Sequence, residues 1–215
     1  MFHIIRVADQ AASLTEQLGT KQKFWFRDEE GQRYLFKEGR PNTGDDWSEK
    51  VTAELCELIE LPHVSYDLAV WKGRRGVVSR RFVPQGGQLV HGNELLARRI
   101  REYPKTDFFR VSQHTLRRVL AVLRSPRIQL PIGWRRFAAV ETALDVFVGY
   151  LMFDAWIANQ DRHHENWALV VTPERTIHLA PSYDHASSLG SNETDESRED
   201  RLMTRDKGRS IERYV

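Results

Sequence analysis

Two kinds of hydrophobic spacing divide the chain. Lys23 to Phe26 and Arg33 to Lys37 are aromatic-rich runs on either side of RDEEGQ, whose Gly31 is a turn signal, so they predict a β-hairpin that closes on Lys37. After the polar stretch EGRPNTGDD comes WSEKVTAELCELIEL, in which Val51, Leu55, Leu58 and Ile59 recur at helical spacing and Asp46 or Ser48 is the expected cap. HVSYDLAVW and GVVSRRFV, separated by KGRR, predict two further strands. Strands around one helix are therefore expected first. From Asn93 the period lengthens: NELLARRI, SQHTLRRVLAVL and RRFAAVETALDVFVGYLMFDAWIA read as helices, the last long enough for a buried central one. WALVV and TIHLA, separated by TPER, predict a second hairpin. This divides the chain into residues 1–87, a strand-rich lobe, and 88–215, a helical lobe. The closing RDKGRSIERYV reads as the start of another helix, cut short.

Composition narrows the class. With 215 residues, 40% hydrophobic and 29% charged, the chain can bury one core or two small lobes sharing a cleft, and it is too apolar for disorder. The longest apolar run, Phe137 to Ala158, contains Glu141, Asp145 and Asp154, which argues against a membrane span. The start MFHIIRVADQ lacks the pattern of a secretion signal, and the single Cys56 can form no internal disulfide, so a reducing cytoplasm is expected. Net charge is only +2, yet arginines crowd between Trp71 and Phe137. They suit contact with phosphates or an acidic partner, although solvated helix faces account for them more simply. NETDESRED, from Asn192 to Asp200, reads as a solvated acidic loop.

The concentrated chemistry lies in NQDRHHEN, residues 159–166, and LAPSYDH, residues 179–185. Such groups are costly to bury unpaired, so their place beside apolar runs asks for a chemical reason. The two segments bracket the second hairpin, and pairing its strands brings Asp161, Asn166 and Asp184 to one end. A carboxylate and a side-chain amide are suitable oxygen ligands for a magnesium ion carrying nucleotide phosphates, which fits Asn166 and Asp184. Asp161 can then orient an acceptor hydroxyl and take its proton. The spacing Asp161-x-x-x-x-Asn166 equals the D-x-x-x-x-N of protein-kinase catalytic loops, although Asp184 is followed by His185 and Ala186 where kinases have Phe and Gly. Lys37 is the candidate phosphate cation, with Glu49 or Glu54 as its helix partner. In LGTKQKFWF, Gly19 permits close backbone approach while Lys21 and Lys23 add charge. A connector near Phe82 and Val83 is placed to meet an adenine.

NQDRHHENWAL followed by LAPSYDHASSLG, with the FKEG lysine and the helix EKVTAELCELIELP, resembles the HipA-like family of serine/threonine kinases over about residues 19–190. The resemblance implies an α+β, two-lobed protein-kinase-like fold that uses ATP and Mg2+. It implies Asp161 as the catalytic aspartate, Asn166 and Asp184 as metal ligands, and Lys37 paired with Glu49 rather than Glu54. It also places the GTKQK stretch (Gly19, Thr20, Lys21), Arg81, Phe82, His163 and Tyr183 around the nucleotide. Family members are best known as toxins of bacterial toxin-antitoxin modules, several of which phosphorylate aminoacyl-tRNA synthetases. That implies a protein substrate of the translation machinery, an antitoxin partner, and a bacterial cytoplasm, or a host cell if the chain is an effector. Thr20 and Ser13 are positional candidates for autophosphorylation. The chain departs from longer members in lacking a separate N-terminal subdomain, in its short phosphate loop and in its C-terminal helices.

Three rival readings follow from the same residues. Asp161, His163, His164 and His185 could surround a hydrolytic metal, but adjacent histidines point apart on most backbones and no H-E-x-x-H or cysteine pair is present. His164 is expected to face solvent. A catalytically silent kinase-like scaffold is the second alternative. A nucleic-acid module using the arginines interleaved with Trp71, Phe82 and Trp134 is the third, and direct nucleic-acid binding is not expected. Binding to a membrane is not expected either.

Overall fold

A computed structural model of the chain describes residues 2–11, 14–15, 23–107, 111–208 and 210. Among them are ten strands in two sheets and five helices. The first sheet contains β1 (Ile5–Arg6), β2 (Leu14–Thr15), β3 (Lys23–Arg27), β4 (Arg33–Glu38), β5 (Tyr66–Trp71) and β6 (Arg74–Arg80), in the order β1-β5-β6-β4-β3-β2. Helix α1 (Asp45–Leu58) connects β4 to β5. The second sheet is β7 (Gln88–His91), β9 (Ala168–Val171), β10 (Ile177–Leu179) and β8 (Ile128–Gln129), in that order. Around it stand α2 (Gly92–Ala97), α3 (Leu116–Leu123), α4 (Ala143–Trp156) and α5 (Asp195–Met203). The architecture is α+β, and the chain passes from the first sheet to the second between Arg80 and Gln88.

Alternation along the first hairpin separates core from cleft. Phe24 and Phe26 on β3 and Phe36 on β4 turn to one face, where Phe24 lies 5.1 Å from Phe36 and 4.7 Å from Trp71 between ring centres. The intervening Lys23, Trp25, Leu35 and Lys37 turn to the other face and line a cleft. Lys37 pairs with Val77 in register, and beside it a Cβ on Gly76 would come within 2.3 Å of the Lys37 carbonyl oxygen. Glycine at this position lets β6 approach the strand that carries the lysine.

Helix α1 begins at Asp45, and neither expected cap serves: its N-cap is Gly44, without a side-chain cap. Asp46 instead binds Arg75, with Nε to Oδ2 at 2.9 Å, and the Ser48 hydroxyl donates to the carbonyls of His185 and Ser188, each at 3.0 Å. The buried face is Ser48, Glu49, Thr52, Ala53 and Cys56, whereas Leu58 and Ile59 of the expected apolar face are exposed. Polar anchoring to the second lobe, rather than the apolar stripe, sets the rotation of this helix.

The second lobe has a continuous core that includes Leu96, Val119, Leu123, Phe147, Tyr150, Trp167 and Leu179. Helix α4 is shorter than its apolar pattern suggested. A capping box between Thr142 and Asp145 starts it at Ala143, and residues 135–142 are not helical. It is also less buried than expected, since Val148, Met152 and Trp156 are exposed on successive turns. The acidic stretch expected as a loop forms α5, capped by Thr194, whose hydroxyl accepts from Ser197 N at 3.2 Å. Asp195 and Glu196 stand in its first turn, where the helix dipole favours negative charge. Residues 88–91, within the span expected to be a helical lobe, form strand β7, which pairs antiparallel with β9. No helix among the described residues is long and apolar enough to cross a membrane.

Candidate active site

The lobes meet at residues 62–64 and 182. Val64 N donates to Ser182 O and Ser182 N to Pro62 O, both at 2.9 Å, which fixes the end of β10 against the first sheet. Beside this junction opens a cleft of about 550 Å³, lined from the first lobe by Lys37, Arg81 and Phe82 and from the second by Asp161, His163, Asn166, Tyr183 and Asp184. Widely separated segments thus converge on one space. Glu49 lies behind Lys37 and is only 1% exposed.

Lys37 is the ionic centre of the cleft. Its Nζ lies 2.7 Å from Glu49 Oε1 and also bonds Asp184 Oδ1. Burial alone would lower the pKa of this ammonium, but Asp184 and Glu49 outweigh burial and hold it well above its ordinary 10.5. The second oxygen of Glu49 accepts from His185 N at 2.9 Å, so one carboxylate orients the lysine and fixes the residue after Asp184. Glu54, the other helix candidate, faces away and pairs with Lys50 at 2.6 Å.

Asn166 and Asp161 belong to one turn. Asn166 Nδ2 donates to the Asp161 carbonyl at 2.5 Å, which commits the amide nitrogen and leaves Oδ1 as the group to present. With the Asp184 carboxylate this gives a hard-oxygen donor set of the kind magnesium accepts, next to a cation suited to phosphate. The residues fit the group. Asp161 keeps 43% of its side chain exposed, and His163 Nε2 lies 4.0 Å from its Oδ1. At the other end of the cleft Phe82 and Tyr183 are stacked with centres 6.1 Å apart, and the Tyr183 hydroxyl donates to Glu165 O at 2.7 Å. Burial, followed by the nearby Asp184 charge, keeps this phenol well above its ordinary pKa. Gly19, Thr20 and Lys21, with Ser13, lie outside the described residues.

His164 is not exposed as expected: it is 1% exposed, and its Nδ1 lies 2.8 Å from the Tyr103 hydroxyl. The rings of His163 and His164 are 6.0 Å apart at 84°, and among the described residues no three His, Cys, Asp or Glu side chains form a metal cage. The hydrolytic-metal alternative therefore lacks its ligand set there. Sequence reasoning passed over Arg162 and Asp154, a buried ion pair with Nε to Oδ2 at 2.7 Å directly behind the site. An acid inside the apolar α4 run was the available signal.

A family model described as the HipA-like C-terminal domain matches residues 15–213. The chain belongs to that family. Its fold is similar to that of the Helicobacter pylori proinflammatory kinase CtkA, with a TM-score of 0.68 and 19% identity, covering 95% of this chain and 67% of that one. It is also similar to Shewanella oneidensis HipA, solved with HipB and operator DNA as a toxin-antitoxin system. There the TM-score is 0.54 and identity 14%, covering 82% of this chain and 45% of HipA. This HipA-like chain thus spans about two thirds of the first neighbour and under half of the second. None of the curated proteins matches it.

Proposed function

We propose that this HipA-like chain is an ATP- and magnesium-dependent serine/threonine protein kinase. The observation that carries the reading is Lys37, joined at once to Glu49 of α1 and to Asp184 after the second hairpin, on the wall of a cleft that also holds Asp161 and Asn166. Asn166 and Asp184 would hold the magnesium ion, which when bound neutralises phosphate charge. The Lys37 ammonium binds phosphate oxygens and is kept charged and aimed by Glu49. The Asp161 carboxylate orients the acceptor hydroxyl and takes its proton. Phe82 and Tyr183 offer apolar surface for the base. The acceptor is a protein serine or threonine, and a component of translation such as an aminoacyl-tRNA synthetase is the first to try. HipA's association with HipB supports a search for an antitoxin partner, and CtkA's description supports the effector alternative.

Calorimetry of ATP binding with and without magnesium, comparing wild type with Asp184→Ala, tests this reading. Binding that needs both magnesium and Asp184 is expected. Wild-type protein that binds no ATP would favour a silent scaffold.

A further inference from the structure

Behind the cleft, one guanidinium touches both segments that carry the proposed metal ligands. Arg162 binds Asp154 through a two-point fork, Nε to Oδ2 and Nη2 to Oδ1, each at 2.7 Å. Its Nη1 donates to the carbonyl of Asn166 at 2.7 Å and more weakly to that of Tyr183 at 3.5 Å. Its Nη2 reaches Ser182 Oγ at 3.0 Å and His185 Nε2 at 3.2 Å. Ser182 Oγ lies 2.8 Å from the same His185 nitrogen, so the hydroxyl bridges the guanidinium and the imidazole. Burial, reinforced by Arg162, holds the His185 pKa well below 6.5.

Asp154 extends the same arrangement to Asp161. It accepts from Asn159 Nδ2 at 2.8 Å, and Asn159 Oδ1 in turn accepts from Asp161 N at 3.1 Å. Asp184 itself sits at φ +60°, a left-handed conformation that a non-glycine residue keeps only when its surroundings hold it. Both of its neighbours are held by Arg162, Tyr183 through its carbonyl and His185 through its ring.

We propose that Arg162, neutralised by Asp154, is a positioning residue that sets the separation and orientation of Asn166 and Asp184 and thereby the affinity of the site for magnesium. The inference rests on the kinase reading above. A lysine would keep the charge but not the planar fork, and its three donors cannot replace the five of the guanidinium across both Asp154 oxygens, Asn166 O and Ser182 Oγ. Partners of metal ligands in other sites change metal affinity by roughly 10- to 100-fold when replaced.

The test measures two quantities by calorimetry in wild type, Arg162→Lys and Ser182→Ala: the magnesium concentration giving half-maximal ATP binding, and ATP affinity at saturating magnesium. In Arg162→Lys the magnesium midpoint is expected to rise by about tenfold, while ATP affinity at saturating magnesium stays near wild type. An unchanged midpoint in folded Arg162→Lys, or a loss of ATP affinity that saturating magnesium does not restore, overturns the proposal. If Arg162→Lys does not fold, Ser182→Ala decides: it removes one acceptor, and a raised midpoint supports the clamp while an unchanged one overturns it. Wild-type protein without magnesium-dependent ATP binding would defeat the kinase reading and this inference with it. A wild type that binds normally beside an unaffected variant would defeat the clamp alone.

Discussion

The back wall of the cleft and its mouth carry charge in different ways. Behind the cleft, Lys37, Glu49, Asp154 and Arg162 are each at most 13% exposed, and all are joined by close ion pairs. At the mouth, Asp161 is 43% exposed beside His163, and water can solvate its carboxylate. Charge behind the cleft must be paired to be tolerated at all, so those residues bear on folding and function together. Charge at the mouth can be changed with little consequence for folding. The contrast teaches that residues closest to the proposed chemistry need not be those on which the fold depends.

The largest expected effect comes from deepest in the wall. Asp154→Ala leaves Arg162 buried without its counter-ion, a loss of roughly 3–5 kcal/mol by comparison with other broken buried pairs. At this chain length each kcal/mol lowers Tm by about 2–4 °C, so a thermal melt reads the effect directly. A variant that melts with wild type would break the comparison at its strongest point. Glu49→Gln comes next, because Lys37 keeps Asp184 and an amide oxygen can still accept from His185 N. Losing the charge-assisted bond is expected to cost roughly 1.5–3 kcal/mol in urea unfolding and to weaken ATP binding through a misdirected Lys37. Unchanged stability would show that Asp184 alone holds the lysine.

These two sites also differ in how far the sequence revealed them. Lys37, Asp161, Asn166 and Asp184 could be found because strand alternation, the D-x-x-x-x-N spacing and a hairpin are local patterns, and the structure puts all four on one cleft. The Asp154–Arg162 pair offered only an acid inside an apolar run, since its meaning lies in a contact between an α4 residue and the turn after the helix. The rotation of α1 was hidden for a related reason. Its leucines and isoleucine suggested one buried face, but Ser48 and Glu49 bind backbone groups of residues 185–188, far along the chain, and turn Leu58 outward. Helix α5 was missed because its acidic composition resembles a loop, while its stability as a helix comes from Thr194 and from acids placed in the first turn.

A smaller effect is expected with pH at the flank of the second lobe. His114 accepts from Trp167 Nε1 at 3.2 Å through Nε2. Burial, then the neighbouring His164 and His163, lower its pKa from 6.5 to about 4. The unfolded chain takes up a proton below pH 6.5 that the folded chain refuses until about pH 4, so stability falls as pH drops through that interval. His114→Gln keeps an acceptor for the indole but cannot titrate. Its Tm should decline less than that of wild type between pH 7 and pH 4, and parallel curves would remove His114 from the acid response.

The smallest effect on stability is expected at Asp161, where the effect on chemistry is greatest. Replacing its partly solvated carboxylate in Asp161→Ala should shift stability by no more than about 0.5 kcal/mol, as for ordinary surface changes. ATP binding with magnesium should persist, because Lys37, Asn166 and Asp184 remain. Transfer to a protein hydroxyl should fall by roughly 10²–10⁴, the usual contribution of a positioned acid or base. The three readouts fail separately. A large drop in Tm would place Asp161 with the back wall, through the turn it shares with Asn166. Lost ATP binding would give it a part in holding the metal. Transfer equal to wild type would leave Asp161 at the mouth without a catalytic role, and the acceptor's proton would then have to leave by another group on the same cleft, with His163, 4.0 Å away, the first to examine.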